Sequence, residues 1–252
     1  MKSIDINCDV GEMPQAIADG SQEALMPYIT SVNIACGGHA GDAHTMRDTI
    51  EQALRHNLRI GAHPGYEDPA NFGRLELQQS PEEIAASVQR QIQTLQRIAA
   101  ECGASLHHVK AHGALYNQAG RDRQIARAIA KGVRSTCPAA ILVGLAGSLM
   151  LDELRAAGFS VAAEAFADRR YEPNGTLRSR KFADALLCDP EQAAAQALRI
   201  AQHSSVIAVD NTSIPLHADT LCLHSDTPGA PQIAAAIHRK LTQAGITIRS
   251  LS

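Results

Sequence analysis

The chain has 252 residues, of which 45 % are hydrophobic and 3 % aromatic with no tryptophan, so Ala, Ile, Val and Leu must fill the core of a globular α/β protein. A net charge of −3 gives no electrostatic case for nucleic acid or for an acidic lipid surface. No apolar run approaches the ~20 residues of a membrane span.

The first elements follow directly. Ile4-Asp5-Ile6-Asn7-Cys8 predicts a strand over 3–8, closed by Asp9. A second apolar run, 32–36, leads into Gly37-Gly38-His39. Asp42 can cap a helix whose inner face is Met46, Ile50, Ala53 and Leu54. The run 59–62 delivers His63 into the forced turn Pro64-Gly65-Tyr66. Ser80-Pro81-Glu82-Glu83 reads as a capping box with proline at the first helical position, before a buried stripe of Ile84, Val88, Ile92, Leu95 and Ala99. Gly103 is the expected stop.

Run 107–110 ends on Lys110, with His112 beyond it. Asp122 can cap a helix carrying Ile125, Ile129 and Val133. Strands are expected at 140–145 and 160–165, and an irregular stretch from Ala167 to Arg180 has the length of a lid or binding loop. Asp189-Pro190-Glu191 starts another helix, runs 205–209 and 220–223 read as the last two strands, and a helix is expected from Pro231 to Gln243. Ile246-Thr247-Ile248 can add a terminal strand. Continuous apolar strands alternating with helices predict a parallel β/α barrel built from 1–252 as one domain, with an open doubly wound sheet as the alternative.

Strand ends in such folds share one face, where active sites form. Asp9 and Glu12 can act as base or metal ligand, or Asp9 can merely cap a turn. His39 and His63 sit in glycine-rich turns; with Asp9 they make a partial ligand sphere for a divalent metal, the alternative being structural hydrogen bonds. Lys110 and His112 are two residues apart and point the same way. Lys110 can bind a carboxylate or polarise a carbonyl, or it can form a salt bridge to Asp9 or Glu164. His224 and Asp226 are spaced to orient a general acid, unless Asp226 or Thr227 caps a helix. Arg169 or Arg180 can clamp a carboxylate, beside Glu164 and Asp168. His44, on a helix, is read as a bystander, and Cys36 as a buried thiol rather than a nucleophile. None of the six cysteines forms a CxxC pair, and no secretory signal opens the chain, which predicts a cytoplasmic protein with reduced thiols. No Gly-x-x-x-x-Gly-Lys loop marks an ATP site.

At these residues the chain resembles the LamB/YcsF family, the A subunits of prokaryotic 5-oxoprolinase, over essentially its whole length. The motifs are Asn7-Cys8-Asp9-Val10-Gly11-Glu12, Asn33 to Asp42, Gly61-Ala62-His63-Pro64-Gly65-Tyr66, Asn71-Phe72-Gly73-Arg74, His108 to Asn117, Phe166-Ala167-Asp168-Arg169 and Cys222 to Pro228. Ala111 stands where the family commonly has Pro, and Ser225 where it commonly has Gly. The resemblance implies a barrel of seven or eight strands similar to the glycoside hydrolase/deacetylase barrel. It implies ATP-dependent opening of 5-oxoproline to L-glutamate, together with B and C subunits that help to bind ATP or to make the activated lactam. Under it, Asp9, Glu12, His39, His63, Lys110, His112, His224 and Asp226 are the expected catalytic set, and Arg74, Glu164, Asp168, Arg169 and Arg180 the expected substrate contacts. Two other readings stand beside it: a metal-dependent amide or acetyl hydrolase acting alone, and a non-catalytic substrate-binding subunit.

Overall fold

A computed structural model describes residues 2–252. In chain order its elements are β1 (Ser3–Val10), α1 (Pro14–Ala18), β2 (Ser31–Ala35), α2 (Ala43–Arg55), β3 (Arg59–His63), α3 (Pro81–Glu101), β4 (His108–Lys110), α4 (Gly113–Ala119), α5 (Arg123–Arg134), β5 (Ile141–Leu145), α6 (Leu149–Ala156), β6 (Val161–Phe166), α7 (Pro190–His203), β7 (Ser205–Ile207), β8 (Ser213–Pro215), β9 (Thr220–His224), α8 (Ala230–Gln243) and β10 (Thr247–Ile248). Strands β1 to β6 and β9 pair in parallel in that order, and β9 pairs back onto β1, which closes a seven-stranded barrel. No described helix is long and apolar enough to cross a membrane.

The expected helix starts hold. Asp42 and Ser80 each complete a capping box, and Asp122 and Asp189 each accept from two backbone N–H groups of their helix's first turn. Each cap satisfies donors that the helix itself leaves unpaired. Gly103, just beyond α3, takes φ +74.

The run 205–209 is not a barrel strand. Ser205–Ile207 instead pairs antiparallel with Ser213–Pro215. The reason lies in the turn between them. Asp210 accepts from the Thr212 N–H and hydroxyl, and Asn211 adopts φ 68, so the chain reverses before it can span the barrel. Ile246 to Ile248 does supply a short strand, β10, alongside the base of β1 and outside the closed ring.

β1 shows how the barrel separates its two faces. Ile4, Ile6, Cys8 and Val10 belong to the apolar core, whereas Asp5, Asn7 and Asp9 are buried polar residues that alternate with them. The second set makes polar cross-barrel contacts. Asp5 accepts from Ser31 and Thr220, and Asn7 donates to Glu164 and Thr220. The interior is thus a hydrogen-bonded column that rises to the carboxyl ends of the strands.

Candidate active site

Asp9 sits at the top of that column. Its Oδ1 accepts from Asn33 Nδ2 at 2.8 Å and from Lys110 Nζ at 2.9 Å, and its Oδ2 lies 3.2 Å from His63 Nε2. Burial pushes the Asp9 carboxyl up, but the charges of His63 and Lys110 outweigh it and hold the group well below the usual carboxylate range. Lys110 also reaches Glu164 Oε1 at 2.9 Å and Cys222 Sγ at 3.0 Å, and its exposure is 2 %. It therefore forms both of the salt bridges offered as alternatives in the sequence. Burial lowers the Lys110 pKa, yet Asp9, Cys222 and Glu164 together raise it well above normal, so the ammonium stays charged and fixes Asp9. Glu164 Oε2 accepts from Tyr116 at 2.7 Å, which completes a fully paired buried network.

A second cluster lies beside the first. Gly11, at φ 75, turns the chain after β1 and brings in Glu12. Glu12 Oε1 is 2.9 Å from His39 Nε2, 3.1 Å from His112 Nδ1 and 3.7 Å from His63 Nε2. Burial raises the Glu12 carboxyl, but the adjoining His112 and His39 imidazoles prevail and lower it strongly. The His39 and His112 rings stack with centroids 3.5 Å apart and planes 4° from parallel. Burial depresses both imidazoles, His39 to about 4, against the opposing pull of Glu12.

The loop after β3 roofs this stack. A Cβ at Gly73, whose φ is +61, would lie 2.7 Å from His39 Cβ and 3.0 Å from His112 Cδ2. Gln91 of α3 holds the loop from behind by accepting from the Gly65 N–H and donating to its carbonyl. Phe72 turns its carbonyl onto His112 Nε2 at 2.9 Å. Gly37 and Gly41, at φ +90 and +87, supply the backbone freedom expected beside His39, whereas Gly65 and Gly73 leave spaces that the His39 and His112 rings fill.

His224 forms a third arrangement. Its Nδ1 is 3.0 Å from both oxygens of Asp168, and its Nε2 lies 4.0 Å from Asp9 Oδ2. Asp168 also accepts from the His224 backbone N–H and from Thr227 Oγ1. Burial raises the Asp168 carboxyl, but the charge and hydrogen bonds of His224, with Thr227, bring it down to about 2. The partner that orients His224 is thus Asp168. Asp226, the expected orienter, bridges Arg74 and Arg180 at the rim, and α8 has Gly229 at its N-cap with no side-chain cap.

All three arrangements border one cleft of about 960 Å³, within the size range of small-molecule sites. Asp9, Glu12, His63, Lys110, His112, Arg74, Arg169, Arg180 and His224 line it. Glu164, Asp168 and His39 stand behind the wall, as partners of Lys110, His224 and Glu12. The irregular stretch 167–180 contributes Arg169, Asn174 to Leu177, Ser179 and Arg180 to the lining of the cleft. Arg169 is 7 % exposed and donates from Nη2 to the Arg178 carbonyl, while its Nε has no partner and no ion pair forms to it among the described residues. Burial and the nearby charge of Arg180 lower it to about 10.

Asn33, Tyr116, Cys222 and His108 also belong to the site, although none is among the residues expected from sequence to act there. His108 Nε2 lies 2.8 Å from Asn33 Oδ1. The signal was available, since Asn33 and His108 are polar residues within runs read as buried strands. His44 is on the exposed face of α2 with its side chain 83 % exposed. The Cys36 thiol accepts from the His63 N–H and is pushed by burial to about 12, so it is inert.

The pattern of the LamB/YcsF family matches residues 4–252. The chain belongs to this family. It is 49 % identical over 250 residues to a protein of Chloroflexus aggregans named as the A subunit of 5-oxoprolinase, covering 99 % of each chain. It also superposes on the crystal structure of a lactam utilization protein from Thermus thermophilus with a TM-score of 0.91 and 41 % identity, over 99 % of this LamB/YcsF chain and 100 % of that one. A family 4 carbohydrate esterase from Streptomyces lividans shares the barrel alone, with a TM-score of 0.51 and 10 % identity over 100 % of this chain and 93 % of the other.

Proposed function

We propose that this chain is the ring-opening subunit of an ATP-dependent 5-oxoprolinase, converting 5-oxo-L-proline to L-glutamate with B and C subunits while ATP becomes ADP and phosphate. The full-length relatives named as A subunits of 5-oxoprolinase support the reading. The structural observation that carries it is a buried arginine without a carboxylate partner, Arg169, on the cleft that also holds the Asp9, His63 and His224 groups. A buried guanidinium needs an anion to offset its desolvation. The carboxylate of a small cyclic amino acid would supply one and orient the ring.

A five-membered lactam is a stable amide, so hydrolysis gains from a phosphoryl group placed on the ring oxygen. In this reading the partners help to bind ATP or to make the activated lactam, in keeping with a sequence that holds no familiar nucleotide loop. On this chain, His63 and His112 hold the attacking water, and ionised Asp9 takes its proton as it adds to the ring carbonyl carbon. The carbon–nitrogen bond then breaks, leaving γ-glutamyl phosphate that a second water hydrolyses to L-glutamate and phosphate, and the ring nitrogen needs a proton as it departs. In this reading His224 donates it from Nε2, with Asp168 holding Nδ1–H and orienting the ring. Lys110 is a positioning residue that keeps Asp9 ionised. The six cysteines are all unpaired, which fits action in the reducing cytoplasm.

The test is glutamate release from 5-oxoproline and ATP by this chain alone, by the candidate partners alone and by the mixture. The mixture should turn over and neither part should. Full turnover by this chain alone would overturn the partner requirement. Undiminished turnover by the partners alone would leave this chain without a catalytic role.

A further inference from the structure

The hydrogen bonds around His63 and His112 dictate their tautomers. His63 Nδ1 lies 2.8 Å from the Lys110 carbonyl, and His112 Nε2 lies 2.9 Å from the Phe72 carbonyl. A carbonyl oxygen only accepts, so both of those nitrogens carry the proton. With neither ring carrying a second proton, two bare lone pairs face each other, His63 Nε2 to His112 Nδ1, at 3.0 Å. Burial lowers the His63 pKa but Asp9 outweighs it and raises it, so the contact calls for a positive charge, either an added proton or a metal ion. Glu12 Oε1 adds a third electron-rich atom 3.1 Å and 3.7 Å from them. Three buried acceptors in contact repel one another unless a proton or a metal ion lies between them, and only a metal ion satisfies all three at once.

The spacing fits a metal ion. Ligands at 2.0–2.1 Å around a tetrahedral zinc lie about 3.3 Å from one another, and the three separations here are 3.0, 3.1 and 3.7 Å. We propose that Glu12, His63 and His112 bind one divalent transition-metal ion at the floor of the cleft. Asp9 Oδ2, 3.2 Å from His63 Nε2, borders the fourth position, and all four residues line the cleft, so that position is open to a water or a substrate oxygen. Two histidines and one carboxylate with an open position is the donor set of a catalytic rather than a structural site.

His39 has a different part. Its Nε2–H donates to Glu12 at 2.9 Å, and its Nδ1, buried without a partner, is then a bare acceptor rather than an orphaned donor. It does not line the cleft, and it orients the Glu12 ligand from behind. The set differs from the Asp9, His39 and His63 expected from sequence, because Glu12 and His112 converge on His63 while His39 is turned onto Glu12. A metal here would acidify a bound water. The proposal concerns binding, so it stands or falls separately from the lactam reading.

The test uses the full chain stripped with chelator and dialysed, then titrated with Zn²⁺, Co²⁺ or Mn²⁺ alone. Wild type should take up one ion per chain by elemental analysis, and Co²⁺ should give a visible spectrum of low coordination number. His63→Ala and His112→Ala should abolish tight binding, His39→Asn should weaken it by roughly 10- to 100-fold, and His44→Ala should leave it unchanged. Should a site variant fail to fold, ¹⁵N resonances of wild type keep the proposal testable. Metal should shift His63 Nε2 and His112 Nδ1 and leave their protonated nitrogens as N–H. Wild type that binds none of the three ions, or a folded His63→Ala chain that binds them as tightly as wild type, would overturn the proposal. A proton shared by His63 and His112 would then be what fills the gap.

Discussion

Replacing Asp168 by Asn removes one charge and almost no volume from beneath His224. In the wild-type chain this carboxylate accepts from His224 Nδ1, the His224 N–H and Thr227 Oγ1, all at 3.0 Å or less. Its folded pKa of about 2 against an ordinary 3.8 corresponds to roughly 2 kcal/mol of stability at neutral pH. The sign follows from the depression. The contribution is complete above pH ~4, falls as pH drops from about 4 towards 2, and is absent below that. Urea unfolding at pH 7 should therefore show Asp168→Asn less stable by about 2 kcal/mol, with the gap closing as the titration approaches pH 2. Turnover by the assembled enzyme should fall on the order of 10²- to 10⁴-fold, because His224 loses the carboxylate that fixes its tautomer and orientation. A stability gap that stayed constant with pH, or turnover within a few-fold of wild type, would refute the assignment of Asp168 as the group that orients His224.

Three further perturbations separate binding, network and backbone effects. Arg169→Met should raise KM for 5-oxoproline by roughly 10-fold or more, the scale of a lost charged hydrogen bond, while 2-pyrrolidinone, which lacks the carboxylate, should be processed equally by both enzymes; an unchanged KM would remove Arg169 from substrate binding. Lys110→Met leaves Asp9 and Glu164 buried without their cation, and should cost about 3–5 kcal/mol by denaturant titration, whereas a loss under 1 kcal/mol would mean that the network is not charged as described. Gly73→Ala places a methyl against His39 and His112 at a left-handed backbone position, and should destabilise by about 1–3 kcal/mol and broaden the imidazole NMR signals of both rings; an unperturbed spectrum would contradict the tight roof.

The barrel was largely legible because its signals are local. Capping residues at Asp42, Ser80, Asp122 and Asp189 and the apolar runs between them fixed most helices and strands. The eighth run misled because an apolar stretch ending in Asp210-Asn211-Thr212 has the composition of a strand and the chemistry of a turn. The short helices α1, α4 and α6 carry weak periodic signals, at 5, 7 and 8 residues. In the site, residue types at strand ends were readable but pairings were not. Asp168 and Asp226 lie 56 and 2 residues from His224 in sequence, and only the fold brings the farther one into contact. Likewise, sequence offered Asp9 for the cluster of histidines, whereas the turn at Gly11 swings Glu12 into it.

The central claim is that the mouth of this barrel, through Asp9, opens the lactam. The direct measurement is ATP-dependent glutamate release by the three-subunit mixture containing wild-type or Asp9→Asn chain, with assembly of the variant verified by size-exclusion chromatography. The account predicts an assembled complex whose glutamate release is reduced by at least about 100-fold, as expected for loss of a general base. An assembled Asp9→Asn complex that releases glutamate at the wild-type rate would contradict it and leave the cleft a binding surface.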